Sequence, residues 1–149
     1  GAIKETSRVL KKHGRFVFAI THPCFETRMI GGRKIGGWVY GNQIKQWGSE
    51  IERAVARGMK PQYYSVDFYF DDWATVIEWK MERLKRPFTT TSFHRTMTDY
   101  ADALHDAGLH ISRLDEPKPT KRGLREYPVY FKDNLRIPHS LVVEAVKCR

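Results

Sequence analysis

The chain has 149 residues, enough for one domain with its own core, and its 41% hydrophobic and 13% aromatic content excludes a disordered chain. The longest apolar run, Phe16 to Ile20, is too short for a membrane-spanning helix, and two cysteines, Cys24 and Cys148, exclude a disulfide framework, so a cytoplasmic setting is expected. The net charge of +9 is spread over clusters around Lys11, Arg33, Lys85 and Lys121, either a solvated face or a surface for an anionic partner.

Helix formers run from Ala2 to Lys12, with Ile3, Val9 and Leu10 apolar, and Gly14 stands where a left-handed cap is expected. Arg15 to Ile20 gives Phe16, Val17, Phe18, Ala19 and Ile20 in unbroken apolar sequence, a strand of the kind covered on both faces, and it runs into Thr21-His22-Pro23-Cys24-Phe25. Ligands in open α/β sheets bind outside such carboxyl ends. The glycine-rich stretch Gly31 to Gly41 lacks the pattern of a phosphate loop and is expected to be a loop or lid, with Trp38 and Tyr40 closing on a ligand or packing. Gln43 to Arg57 is expected to be helical, with Ser49 capping its better-formed part.

Tyr64 to Met81 has the strongest β texture. A turn at Asp71-Asp72 would pair Phe70 with Trp73, Phe68 with Thr75, Val66 with Ile77 and Tyr64 with Trp79. Arg83 to Ser92 follows as a linker. A helix then starts with Thr96 or Thr98 as N-cap and Asp99 in its first turn, with Tyr100, Leu104 and Ala107 on one face and Gly108 as its stop. Leu109 to Leu114 is a strand with Leu109 and Ile111 inward, ended by Pro117 and Pro119. A long connection with a short helix at Val129 to Asp133 leads to a last strand, Ser140 to Val146.

Three of these stretches resemble one family. SRVLKKHGRFVFAITHPCF (Ser7 to Phe25), FHRTMTDYADALHDAGLHISRLDEPKPT (Phe93 to Thr120) and RIPHSLVVEAVK (Arg136 to Lys147) are similar, in this order, to segments in the later half of class I S-adenosylmethionine-dependent methyltransferases. The resemblance implies an α/β fold: a partial Rossmann-like sheet of the family's fifth to seventh strands, the seventh antiparallel between the other two, with an inserted antiparallel β-hairpin in a substrate-side region spanning 26–90. It also implies S-adenosylmethionine as cofactor and a small-molecule methyl acceptor. The family's glycine-rich cofactor loop and the acidic residue after its second strand have no counterpart in this sequence. The expectation is therefore a C-terminal half, inactive alone, with no cofactor-binding residue of its own, that forms a homodimer through its exposed sheet edge. The alternative is a non-catalytic basic module that binds nucleic acid or a protein partner.

Methyl transfer from a sulfonium requires alignment, exclusion of water and, for some acceptors, one base. His22, just past the first strand, and His94, before the second helix, are the candidate catalytic bases. The alternatives are that His22 orders the Thr21–Pro23 turn and that His94 packs at the helix entry. Thr21, Phe25, Trp79 and Tyr100 are the expected substrate-binding residues; Tyr100 is also spaced as a core residue. Cys24 beside His22 lacks the third orienting residue of a nucleophilic site, and no metal-ligand spacing is present.

Overall fold

A computed structural model describes residues 1–31, 33–41, 43–45, 49–79, 86–131 and 135–148. Helix α1 (Ala2–Val9) packs Ile3 on the core, while Val9 is 66% exposed, against its expected place in the apolar stripe. The left-handed residue after α1 is His13 (φ 62°), not Gly14. Gly14 is required for space instead, because a Cβ there would lie 2.8 Å from the Lys11 carbonyl oxygen. Lys147 Nζ donates to the Ser7 and Leu10 carbonyls at 2.6 and 2.9 Å, a cation at the negative end of the α1 dipole.

Strand β1 (Arg15–Thr21) turns Phe16, Phe18 and Ile20 inward. Its other face is not covered as expected: Val17 is 57% exposed. Among the described residues β1 pairs on one side only, with the last strand.

The chain then enters an insertion of small antiparallel sheets. A 3-10 turn (Pro23–Phe25) leads to β2 (Arg28–Ile30) and β3 (Arg33–Ile35), which pair with each other. Strand β4 (Gly37–Tyr40) lies between β5 (Gln43–Lys45) and β6 (Tyr63–Ser65), with α2 (Ser49–Ala56) in the connection. The glycine-rich stretch is thus no lid. Trp38, Val39 and Tyr40 are buried, and Trp38 and Tyr40 form a second core with Ala54. Gly36 takes φ 79°, and a Cβ there would lie 3.3 Å from the Glu26 and Ser65 carbonyls. The predicted helix from Gln43 is replaced at its start by β5, and residues 46–48 lie outside the described residues.

The expected hairpin about Asp71-Asp72 does not form. Tyr64 is used by β6, facing Trp38 across the register. The chain breaks at Phe68, which sits at φ 59° with its N–H bonded to the Asp67 carboxylate at 2.7 Å, a conformation no strand continues through. The hairpin that does form pairs β7 (Ala74–Trp79) with β8 (Phe88–Phe93). The expected linker is therefore partly a strand, because Thr89, Thr90 and Thr91 are β-branched and favour extended backbone. The described residues exclude 80–85 between these strands.

Helix α3 (Met97–Asp106) begins at Thr96, whose hydroxyl accepts from Asp99 N at 3.1 Å while the Asp99 carboxylate accepts from Thr96 N at 2.7 Å. Strand β9 (Leu109–Asp115), the short helices α4 (Lys121–Glu126) and α5 (Pro128–Phe131), and strand β10 (Ser140–Lys147) complete the chain. The short helix expected at Val129 to Asp133 is α5, which starts one residue earlier, and α4 precedes it; residues 132–134 lie outside the described residues.

The main sheet has the order β1-β10-β9, with β10 antiparallel to both neighbours, so β1 and β9 run parallel with α3 in their crossover. This is the expected α/β arrangement. Leu104, Leu109, Leu141, Val143 and Ala145 are its buried centre, joined by Phe16, Phe18, Ile20 and Met97. Ile111 departs from expectation at 41% exposed, since β9 is the outer strand on its side. No helix among the described residues is long and apolar enough to cross a membrane.

Candidate functional site

The parallel strands β1 and β9 end on the same edge of the sheet, where β10 begins. Thr21 faces Ser140 across the register, and His22 N donates to the His139 carbonyl at 3.0 Å. This edge gathers most of the residues singled out in the sequence.

His22 is buried, and both its ring nitrogens have partners. The Cys24 backbone N–H donates to Nδ1 at 3.2 Å, so Nδ1 carries the lone pair and the ring proton sits on Nε2. Nε2–H then donates to Glu116 Oε1 at 2.9 Å. The imidazole therefore caps the 3-10 turn and ties the end of β1 to the residue after β9. The Phe25 ring lies 5.0 Å from the His22 ring and 6.0 Å from Tyr64, whose hydroxyl donates to the Phe25 carbonyl at 2.8 Å. Burial pushes the Tyr64 phenol up to about 12.

His94 is equally buried and stacks flat on Trp73, ring centroids 5.0 Å apart. Its Nε2 lies 2.8 Å from the Tyr69 carbonyl oxygen, which can only accept, so Nε2 carries a proton. Its Nδ1 is bonded to the Glu26 carboxyl group. One proton is thus shared between Nδ1 and Glu26, and Tyr69 fixes the ring from the other side. Tyr69 also accepts from Met97 N through its hydroxyl at 2.9 Å, so the same residue anchors the start of α3. Burial raises the Glu26 pKa above the ordinary carboxylate value, and the bond and charge of His94 oppose that rise.

Tyr100 lies one turn into α3, its ring 6.2 Å from Phe18 of β1. Its phenol is also raised, first by burial and then by the nearby Glu26. Asp99, held by the Thr96 backbone and hydroxyl, stays below the usual aspartate value.

Thr21, His22, Phe25, His94 and Tyr100 therefore all belong to the elements that meet at or next to the carboxyl edge of β1. Trp79 does not. It pairs with Phe88, while Ala74 at the other end of β7 pairs with Phe93 beside His94. Five strand residues put Trp79 roughly 17 Å along the hairpin from there. Its indole N–H donates to Thr90 Oγ1 at 2.8 Å.

Two acids complete the site that sequence reasoning did not single out: Glu26 and Glu116. Their signal is weak, since each is an acid in a polar stretch whose partner lies 68 or 94 positions away. Among the described residues no three His, Cys, Asp or Glu side chains are placed to hold a metal ion.

No family model matches the chain. No curated protein is significantly similar to it. Among solved structures, the fold resembles that of an S-adenosylmethionine-dependent methyltransferase from Mesorhizobium loti (TM-score 0.60, 21% identity, 97% of this chain and 53% of that one). It likewise resembles a chain assigned as an S-adenosylmethionine-dependent methyltransferase from Listeria monocytogenes (TM-score 0.59, 23% identity, 97% and 53%). The chain thus spans about half the length of the proteins whose fold it shares.

Proposed function

We propose that this chain is the C-terminal, acceptor-side part of an S-adenosylmethionine-dependent methyltransferase acting on a small molecule. The observation that carries this reading is the β1-β10-β9 sheet with its reversed middle strand, which shares the fold of half of such enzymes and gathers paired titratable groups at its carboxyl edge. The half-length match and the uncovered face at Val17 both support a further portion of chain that completes the sheet and holds the cofactor.

Within this reading the residues described here handle the acceptor. Thr21 and Phe25 border it at the strand end, and Tyr100 presents a phenol from α3. The histidines expected as bases act as holders, because all four of their ring nitrogens are engaged. Glu26, a carboxyl raised by burial and oriented by His94, is the group suited to take the proton that an O–H or N–H acceptor loses as it gains the methyl group. The isolated chain forms a dimer through the free edge of β1.

The test uses the native protein, captured from its source cells with an antibody to this chain. Incubated with tritiated methyl donor and a small-molecule extract of the same cells, it should move label into a small molecule. Label confined to the donor, with active control enzyme in parallel, would remove the methyltransferase reading.

A further inference from the structure

One residue beyond the Glu116–His22 bond, the sheet edge opens into a cleft of about 270 Å³. Three separate parts of the chain wall it: Pro117 to Thr120 after β9, Gly123 and Phe131 from the α4–α5 pair, and His139 and Ser140 at the start of β10. Pro117, Pro119 and Phe131 are rigid rings that lose little freedom when a ligand settles against them. Gly123 keeps the wall flat. A Cβ there would sit 3.3 Å from the Phe131 ring and 3.4 Å from Thr120 Oγ1, so any side chain would press on the wall. Thr120 Oγ1 is already engaged, accepting from Gly123 N at 3.0 Å.

Basic side chains flank the cleft. Lys118 lines it, and Lys121, Arg122 and Arg125 follow within seven residues, all exposed. The one acid of α4, Glu126, pairs with Arg122 at 2.9 Å. Glu116 is drawn away to His22. His139 is exposed at the rim, yet desolvation lowers its pKa below the ordinary histidine value, so its ring is neutral near neutral pH and adds no charge there. The size suits one or two rings and not a dinucleotide.

We propose that this cleft binds a small planar aromatic carboxylate, its ring between the prolines and Phe131 and its anionic group toward Lys118. Apolar walls explain the ring, and the Lys118 cation at the mouth explains the charge. This inference stands independently of the methyl-transfer reading, because it concerns binding by this chain alone.

The experiment is an amide NMR titration of the chain with benzoate, and with phenol and acetate as probes of the ring and the charge separately. Benzoate should give saturable shifts at Gly123, Phe131 and Ser140 and at the His22 ring N–H, with at least tenfold weaker binding of phenol and acetate. Lys118→Gln, a change at an exposed site, should weaken benzoate severalfold without altering the rest of the spectrum. Gly123→Ala should weaken benzoate and phenol alike. Equal response to acetate and benzoate, shifts scattered over the basic surface, or no saturation would each overturn the proposal.

Discussion

His22 and Glu116 are 94 positions apart in the chain and 2.9 Å apart in space, joining the ends of the two parallel strands across the start of β10. Because His22 also accepts from Cys24 N, one buried ring fixes the turn and the sheet edge together. His22→Ala leaves the Cys24 N–H without its acceptor and should cost about 1–3 kcal/mol in denaturant unfolding. Glu116→Gln keeps an acceptor for Nε2–H and should cost well under half of that. Equal losses would mean that the charge of Glu116, not its geometry, holds the edge.

Glu26 and His94 form the second pair, with Tyr69 fixing the far nitrogen. In the complete methyltransferase proposed above, Glu26→Gln should lower kcat by about 10²–10⁴-fold with little change in KM, the signature of a lost proton acceptor. The acid limb of the kcat–pH profile should disappear with it. A variant that binds acceptor poorly but turns over normally would place Glu26 in positioning alone.

The capping box of α3 gives a pH prediction. The Asp99 pKa is depressed in the folded chain by the Thr96 backbone N–H and hydroxyl. A depressed carboxyl contributes stability that is present above its unfolded value and lost as pH falls through its folded one. Unfolding measured from neutral pH downward should therefore show a loss below the ordinary aspartate range, and Asp99→Asn should flatten it. Thr96→Ala should cost about 1 kcal/mol at neutral pH.

Among the described residues one edge of β1 has no partner strand, and this edge with the exposed Val17 predicts self-association of the isolated chain. Sedimentation should show a dimer, and Val17→Lys, which places a charge on the uncovered face, should shift it toward monomer. A monomer at all concentrations would contradict strand-edge pairing.

Local chemistry made much of this legible in the sequence. Phe16 to Ile20, the Thr96–Asp99 cap and the Leu109 strand all announce themselves within a few residues, whereas the class of fold was implied by the family resemblance of three longer stretches. The failures came where partners lie far along the chain. Tyr64 and Trp73 read as one hairpin because their alternation is continuous, yet Tyr64 finds Trp38, and Trp73 finds His94. The glycines around Trp38 and Tyr40 left them open between closing on a ligand and packing, and their burial in a core decides for packing. At the site, His22, His94 and Tyr100 stood out by residue type and place. Glu26 and Glu116 did not, because a carboxylate becomes distinctive only through the histidine that it meets in the folded chain.

The central claim is that this chain is the acceptor-side part of a longer methyltransferase. The intact mass and N-terminal sequence of the native protein from its source cells test it most directly. The account predicts a protein longer by roughly another half-domain, with a strand and glycine-rich loop ahead of Ala2. A native mass equal to that of the 149 residues alone would contradict it.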